Sequence, residues 1–162
     1  MIRSQGIALL MVFAGVQVAG AQTTSDRGSP LRFVARLDAF AARANAVHAG
    51  LGATTDLGNY ARLDVILAAG GARANDITVA SGRAELVGRF LLDPFRQSRW
   101  GFHGGAGLIA RFDAGASGRG YLTVLLGAEL PGAGQTRPAL EVGIGGGTRV
   151  GVVIRRARTN RR

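Results

Sequence analysis

Leu122, Val124, Leu126, Ala128 and Leu130 alternate with Tyr121, Thr123, Leu125, Gly127 and Glu129, and this two-residue rhythm recurs along nearly the whole chain. A β-strand turns successive side chains to opposite faces, so a period of two means strands with one apolar face. The opposing face carries glycine and a thin set of Arg, Asp, Glu and His.

About eight such segments can be marked. The first runs from Leu31 to Ala41, with Arg32, Arg36 and Asp38 on its polar face. The second covers Ala46 to Thr54, where Val47, Ala49, Leu51 and Ala53 oppose His48, Gly50 and Gly52. The Asp56-Leu57-Gly58-Asn59 turn leads to a third, Tyr60 to Gly70, and Gly70 to Asp76 reads as a longer loop. The fourth spans Thr78 to Leu92 and is broken by Asp93-Pro94. The fifth is Trp100 to Phe112, the sixth Tyr121 to Leu130, the seventh Ala139 to Gly145 and the eighth Arg149 to Arg155. Ala39 to Ala46 also admits a helical turn.

The amino end has the form of an export signal: Arg3, a short apolar stretch from Ile7 to Val16, and Ala19-Gly20-Ala21 as a small-residue cleavage site. The expected organisation is a signal peptide over 1–21, a loose polar leader over 22–30, a barrel over 31–157 and a basic tail over 158–162. After Gly20 no apolar run reaches helix-spanning length, so entry of the mature chain into a membrane requires a closed barrel. There is no cysteine, which excludes thiolate chemistry. All 20 basic residues are Arg. Arginine binds phosphate and carboxylate bidentately, which suits anionic head groups, although a coding bias towards Arg is an equal reading. So few aromatics in an exported chain argue against nucleic acid as a partner.

Alternation alone leaves open whether the apolar face meets lipid or an apolar core. Glycine separates the two. Gly50, Gly52, Gly105, Gly107, Gly127, Gly143, Gly145 and Gly151 all share the charged face. Glycine weakens an exposed strand, whereas in a narrow lumen small residues make room for arginine. The expected fold is an all-β, single up-and-down antiparallel barrel of about eight strands, apolar outside and charged within. A secreted or periplasmic lipocalin-like barrel holding an apolar ligand is the alternative.

Signal, eight short strands and close turns together resemble the small outer-membrane β-barrel proteins of Gram-negative-type bacteria over about Leu31 to Ala157. The resemblance implies an outer-membrane location, lipid neighbours, a monomer, and a structural or surface-interaction role without catalysis or cofactor. One feature departs from the family pattern: the last strand lacks a terminal aromatic, running from Val152-Val153-Ile154 into an arginine-rich tail. That tail is either solvated or in contact with anionic head groups.

Three chemistries suggest themselves, each with a plainer reading. Gly143 to Thr148 lacks the Lys and the helix of a phosphate loop and reads as a tight hairpin. The family includes lipid-modifying enzymes with a Ser-His-acid site facing lipid, but His48 and His103 fall on the glycine-and-arginine face, and Ser25, Ser29, Ser81, Ser98 and Ser117 fall in the leader, turns or strand ends. Two distant histidines make a poor metal site.

Cross-strand pairing arithmetic gives one candidate site. Turns centred near Arg96, Ala116, Gln135 and Thr148 set Arg89 opposite His103, His103 opposite Glu129, Arg111 opposite Tyr121, Glu129 opposite Glu141 and Glu141 opposite Arg155. The expectation is a belt of Arg89, His103, Glu129, Glu141 and Arg155 closing the lumen towards the end that holds both termini.

Overall fold

The computed structural model describes residues 31–42, 44–74, 77–95, 99–131 and 136–156. The expected export signal, leader and basic tail lie outside them.

Eight strands, β1 (Arg32–Ala41), β2 (Asn45–Leu57), β3 (Ala61–Ala74), β4 (Ile77–Leu91), β5 (Gly101–Asp113), β6 (Arg119–Glu129), β7 (Thr136–Ile144) and β8 (Thr148–Arg156), pair antiparallel with their sequence neighbours. Pairing of β8 with β1, Val34 opposite Arg155 through Ala41 opposite Thr148, closes the barrel. Closure leaves no unpaired edge, so backbone groups along the wall are satisfied within the sheet. One end, the terminal end, holds the start of β1, the finish of β8 and the β2–β3, β4–β5 and β6–β7 connections. The other is the far end.

Each strand keeps one parity inward. Arg36, Asp38, Asp64, Glu85, Arg89, His103, Glu141, Arg149 and Arg155 are buried, while Phe33 (77% exposed), Leu51 (71%) and Leu122 (79%) stand outside. Apolar side chains inside are few. Val34, Ile66, Ala139 and Val153 form one cluster, and Phe40, Ala46 and Ala72, with Val79 against them, form another at the far end.

Two expectations about the strands need correction. Gly70 to Ala74 is strand rather than loop, because β3 and β4 continue pairing to Ala74 opposite Ile77. The small residues there permit close approach: a Cβ on Gly70 would strike the Val47 carbonyl. Ala39 to Ala41 extends β1 and does not turn helical.

Pairing register also differs from the arithmetic, always by an even number. His103 stands opposite Gly127 and Leu91, Glu129 opposite Gly101 and Ala139, Glu141 opposite Gly127 and Gly151, Arg155 opposite Arg137 and Val34, and Arg111 opposite Arg119. Turn closure is the cause. Gly146 and Gly147 have positive φ (72° and 145°) and close β7 to β8 through three residues, setting Ile144 opposite Thr148. Gly115 at φ 80° similarly tightens the β5–β6 turn, where the Ala116 N–H donates to the Asp113 carbonyl at 3.0 Å. An even slip preserves the face of every residue and changes only its level along the barrel.

Glycine serves the lumen directly at Gly127, opposite both His103 and Glu141, where a Cβ would strike the His103 ring and press on Glu141 Cγ at 3.0 Å. Gly120 has nothing within 4 Å of its own Cβ direction. Gly127→Ala should therefore cost about 1–3 kcal/mol of stability through overpacking, and Gly120→Ala should be near neutral. Denaturant unfolding of the refolded barrel reads the difference; equal effects would contradict it.

Candidate functional site: the ion-paired lumen

The lumen is built because alternate positions on neighbouring strands place arginines and carboxylates at overlapping levels, where long guanidinium side chains reach across the axis. Glu141 on β7 is the centre. It accepts hydrogen bonds from Arg36 (3.1 Å), Arg89 (2.9 Å), Arg155 (2.6 Å) and His103 Nε2 (3.1 Å). These donors come from β1, β4, β8 and β5, so one carboxylate ties together strands from around the wall.

Towards the far end the network continues through Asp38 and Glu85. Arg36 grips Asp38 at 2.7 and 2.8 Å and reaches Glu85 at 3.3 Å. Arg149 donates to both oxygens of Glu85 at 2.9 and 3.0 Å, and Arg83 donates to Asp38. Arg83 and Arg149 also lie 4.8 and 5.9 Å from the centre of the Phe40 ring, whose π face favours cations. Towards the terminal end, Arg89 also donates to Asp64, which accepts a bond from Thr54 at 2.5 Å. Arg62 joins Asp56 (3.2 Å) to Glu129 (2.8 Å).

Of the expected belt, Arg89, His103 and Arg155 converge on Glu141. Glu129 sits one level nearer the terminal end, bonded to Arg62 and 3.7 Å from Arg155. Glu129 and Glu141 are not cross-strand partners, nor are Arg89 and His103, nor His103 and Glu129. The separation of the two acids avoids a like-charge contact that the expected register would have forced. Residues outside the expected belt carry as much of the network: Arg36, Asp38, Arg62, Asp64, Arg83, Glu85 and Arg149. All sit at inward-facing parity, and parity was the signal that could have found them.

A second polar cluster lies near the far end. His48 Nε2 is 2.8 Å from Ser81 Oγ, which donates to Asp113 Oδ1 at 2.5 Å, and Arg111 donates to the same carboxylate oxygen at 2.9 Å. The sequence puts His48 on the polar face and Ser81 among the serines of the leader, turns or strand ends, with nothing to bring the two together; Ser81 in fact lies inside β4, buried. Contact order here differs from a nucleophile relay, in which the acid holds the far nitrogen of the histidine and frees the serine proton for the near one. Here the acid takes the serine proton, so His48 Nε2 acts as donor and His48 Nδ1 has no partner. The adjoining cavity, lined by Phe40, His48, Arg83 and Arg111, measures about 10 Å³, room for no more than a water-sized group. What this cluster does is tie β2, β4 and β5 together.

No protein-family model and no curated protein matches the chain.

Removing one partner from a buried ion pair leaves an uncompensated charge, at a cost of about 3–5 kcal/mol. Glu141→Ala takes one shared carboxylate from Arg36, Arg89 and Arg155, which keep Asp38, Asp64 and Glu129 nearby, and should cost about that much. Asp113, with its side chain 27% exposed, should cost about 1 kcal/mol when changed to Ala. Unfolding midpoints of the two variants check the ranking, and an unchanged midpoint for Glu141→Ala would contradict the central position of that residue.

Proposed function

We propose that this chain is a non-catalytic outer-membrane β-barrel, monomeric, with a structural or surface-interaction role and a lumen closed by its Arg, Glu, Asp and His pairs. One observation carries the reading: the distribution of polarity across the wall is inverted relative to a water-soluble barrel. Every strand puts large apolar side chains outward, from Phe33 and Leu37 on β1 to Val150, Val152 and Ile154 on β8. Soluble monomers rarely expose contiguous apolar patches beyond a few hundred Å², whereas a lipid-facing wall requires such a band.

Aromatic placement supports the same reading. Phe33, Tyr60, Phe90, Phe95, Trp100 and Phe102 are exposed around the terminal end. Tyr60 stacks on Phe90 at 6.0 Å and meets Phe95 edge-on at 5.9 Å. A ring of this kind suits the level of lipid head groups. Strands of 9 to 15 residues are long enough to cross a hydrocarbon core when tilted. The closed wall offers no edge for strand addition, which favours the monomer. Outer-membrane lipids, including anionic head groups, are the proposed partners, and the burial of both histidines in the lumen is the reason for assigning no lipid-directed catalysis.

Cell fractionation with detergent extraction tests the location. The processed protein should remain with the outer membrane through salt and carbonate washes and be released by detergent. Recovery in the soluble periplasmic fraction would favour the lipocalin-like alternative. In refolded protein, Val124→Arg should cost about 2–4 kcal/mol if the position lies near the bilayer midplane; a neutral effect in lipid would contradict the outward assignment.

A further inference from the structure

The terminal mouth of the barrel opens into a cavity of about 360 Å³, within the size range of small-molecule sites. Three carboxylates line it, and each is already engaged. Asp56 takes Arg32 and Arg62, Glu129 takes Arg62, and Asp93 has a partner of its own. Two lining arginines are left over. Arg99, in the β4–β5 connection, is exposed, and Arg137, on β7, is half-buried. Neither makes a hydrogen bond or ion pair with another described residue.

Strand parity aims Arg137 inward. It shares a face of β7 with Ala139 and Glu141, both fully buried, and stands opposite Arg155 on β8. Arg155 is committed to Glu141, so this cross-strand pair sets two cations side by side and leaves the one nearer the mouth without an acid among the described residues. Like charges directly opposite each other are destabilising. The neighbouring sequence offers no remedy. The connection over 92–100 carries Asp93 against Arg96 and Arg99, and the connection over 130–135 carries no acid at all. Arg99 and Arg137 are thus two accessible guanidiniums on one cavity, neither with a carboxylate of its own.

An oxyanion completes such a pair, because each guanidinium offers a planar fork of donors matched by a carboxylate or phosphate. A single carboxylate, with one charge and two oxygens, answers one fork. A phosphate monoester carries close to two charges and three acceptor oxygens at neutral pH, enough for both. A metal cation would face guanidiniums and carboxylates already taken. An apolar ligand would desolvate charged groups without return. We propose that this vestibule binds a phosphate monoester, soluble or in a lipid head group, with the phosphate seated on Arg99 and Arg137. The cavity leaves room for a small organic body behind it. The site needs only the closed barrel, whatever surrounds its wall.

The test uses the full chain in non-ionic detergent micelles, titrated calorimetrically with glycerol 3-phosphate, a short-chain phosphatidic acid or acetate. Glycerol 3-phosphate should saturate a single site, and acetate should bind at least about tenfold more weakly, the loss of one charged contact. The double variant Arg99→Gln, Arg137→Gln should lose about tenfold or more in affinity for both phosphate probes. Its unfolding midpoint in denaturant should hold or rise, since the repulsion between positions 137 and 155 is relieved, so the loss of binding is not a loss of fold. A triple variant of the tail, Arg158→Gln, Arg161→Gln, Arg162→Gln, removes more charge and should keep the affinity within about twofold, because charges away from the site are screened. Tighter binding of phosphatidic acid than of glycerol 3-phosphate, lost in the double variant, supports the proposal with a lipid head group as the source; equal or weaker binding supports it with a soluble ester. Absence of saturable binding would overturn the proposal. So would equal binding of acetate, an unchanged affinity in the double variant, or as large a loss in the tail variant.

Discussion

A guanidinium taken out of water must be met by an acceptor of opposite charge, and in this barrel that requirement organises everything inside the wall. Glu141, Asp38, Glu85 and Asp64 are each shared among arginines from different strands. The net stability of such pairs is modest, because desolvation offsets most of the attraction. Their leverage lies in what breaking them costs. A register slip of two residues on any one strand would lift its charges off their partners, so the network disfavours every register but one. Arginine serves this purpose better than lysine, since its planar fork bridges two carboxylates at once, as Arg36 does between Asp38 and Glu141.

The network in turn dictates where glycine must stand. His103 and Glu141 are on β5 and β7, and they meet only because β6 passes between them with Gly127. Gly151 does the same for Asp38, whose carboxylate would collide with a Cβ there. A lumen filled mainly with long charged side chains has room for only small apolar clusters, so most large apolar residues stand on the outer face. The inverted polarity and the charged interior are therefore one design, and the proposed lipid surroundings follow from it.

The face assignment was legible in the sequence because a strand's period of two is a local property. Leu122 to Leu130 and Arg149 to Arg155 declare their two faces without help from distant residues. Strand number and antiparallel order were legible for the same reason, through the turn residues between runs. Register was not, since it depends on how each turn closes, and the positive φ of Gly146 and Gly147 cannot be read from three consecutive glycines. The small residues from Gly70 to Ala74 suggest a loop in the sequence yet form strand, because such residues signal both turns and close strand contact. His48 with Ser81, and Arg36 with Glu85, are brought together by closure across the lumen, which no spacing along the chain encodes. The cavity at the terminal mouth was equally invisible, being bounded by residues from several separate connections.

The central claim is that apolar residues face outward and charged ones inward around the whole wall. A nitroxide scan along β6, one cysteine at a time from Gly120 to Glu129 in lipid-reconstituted protein, tests it most directly. Collision with oxygen, which concentrates in lipid, should rise at Leu122, Val124, Leu126 and Ala128 and fall at Tyr121, Thr123, Leu125 and Gly127, with a period of two. A scan with the opposite phase, or with no lipid-accessible position at all, would contradict the account.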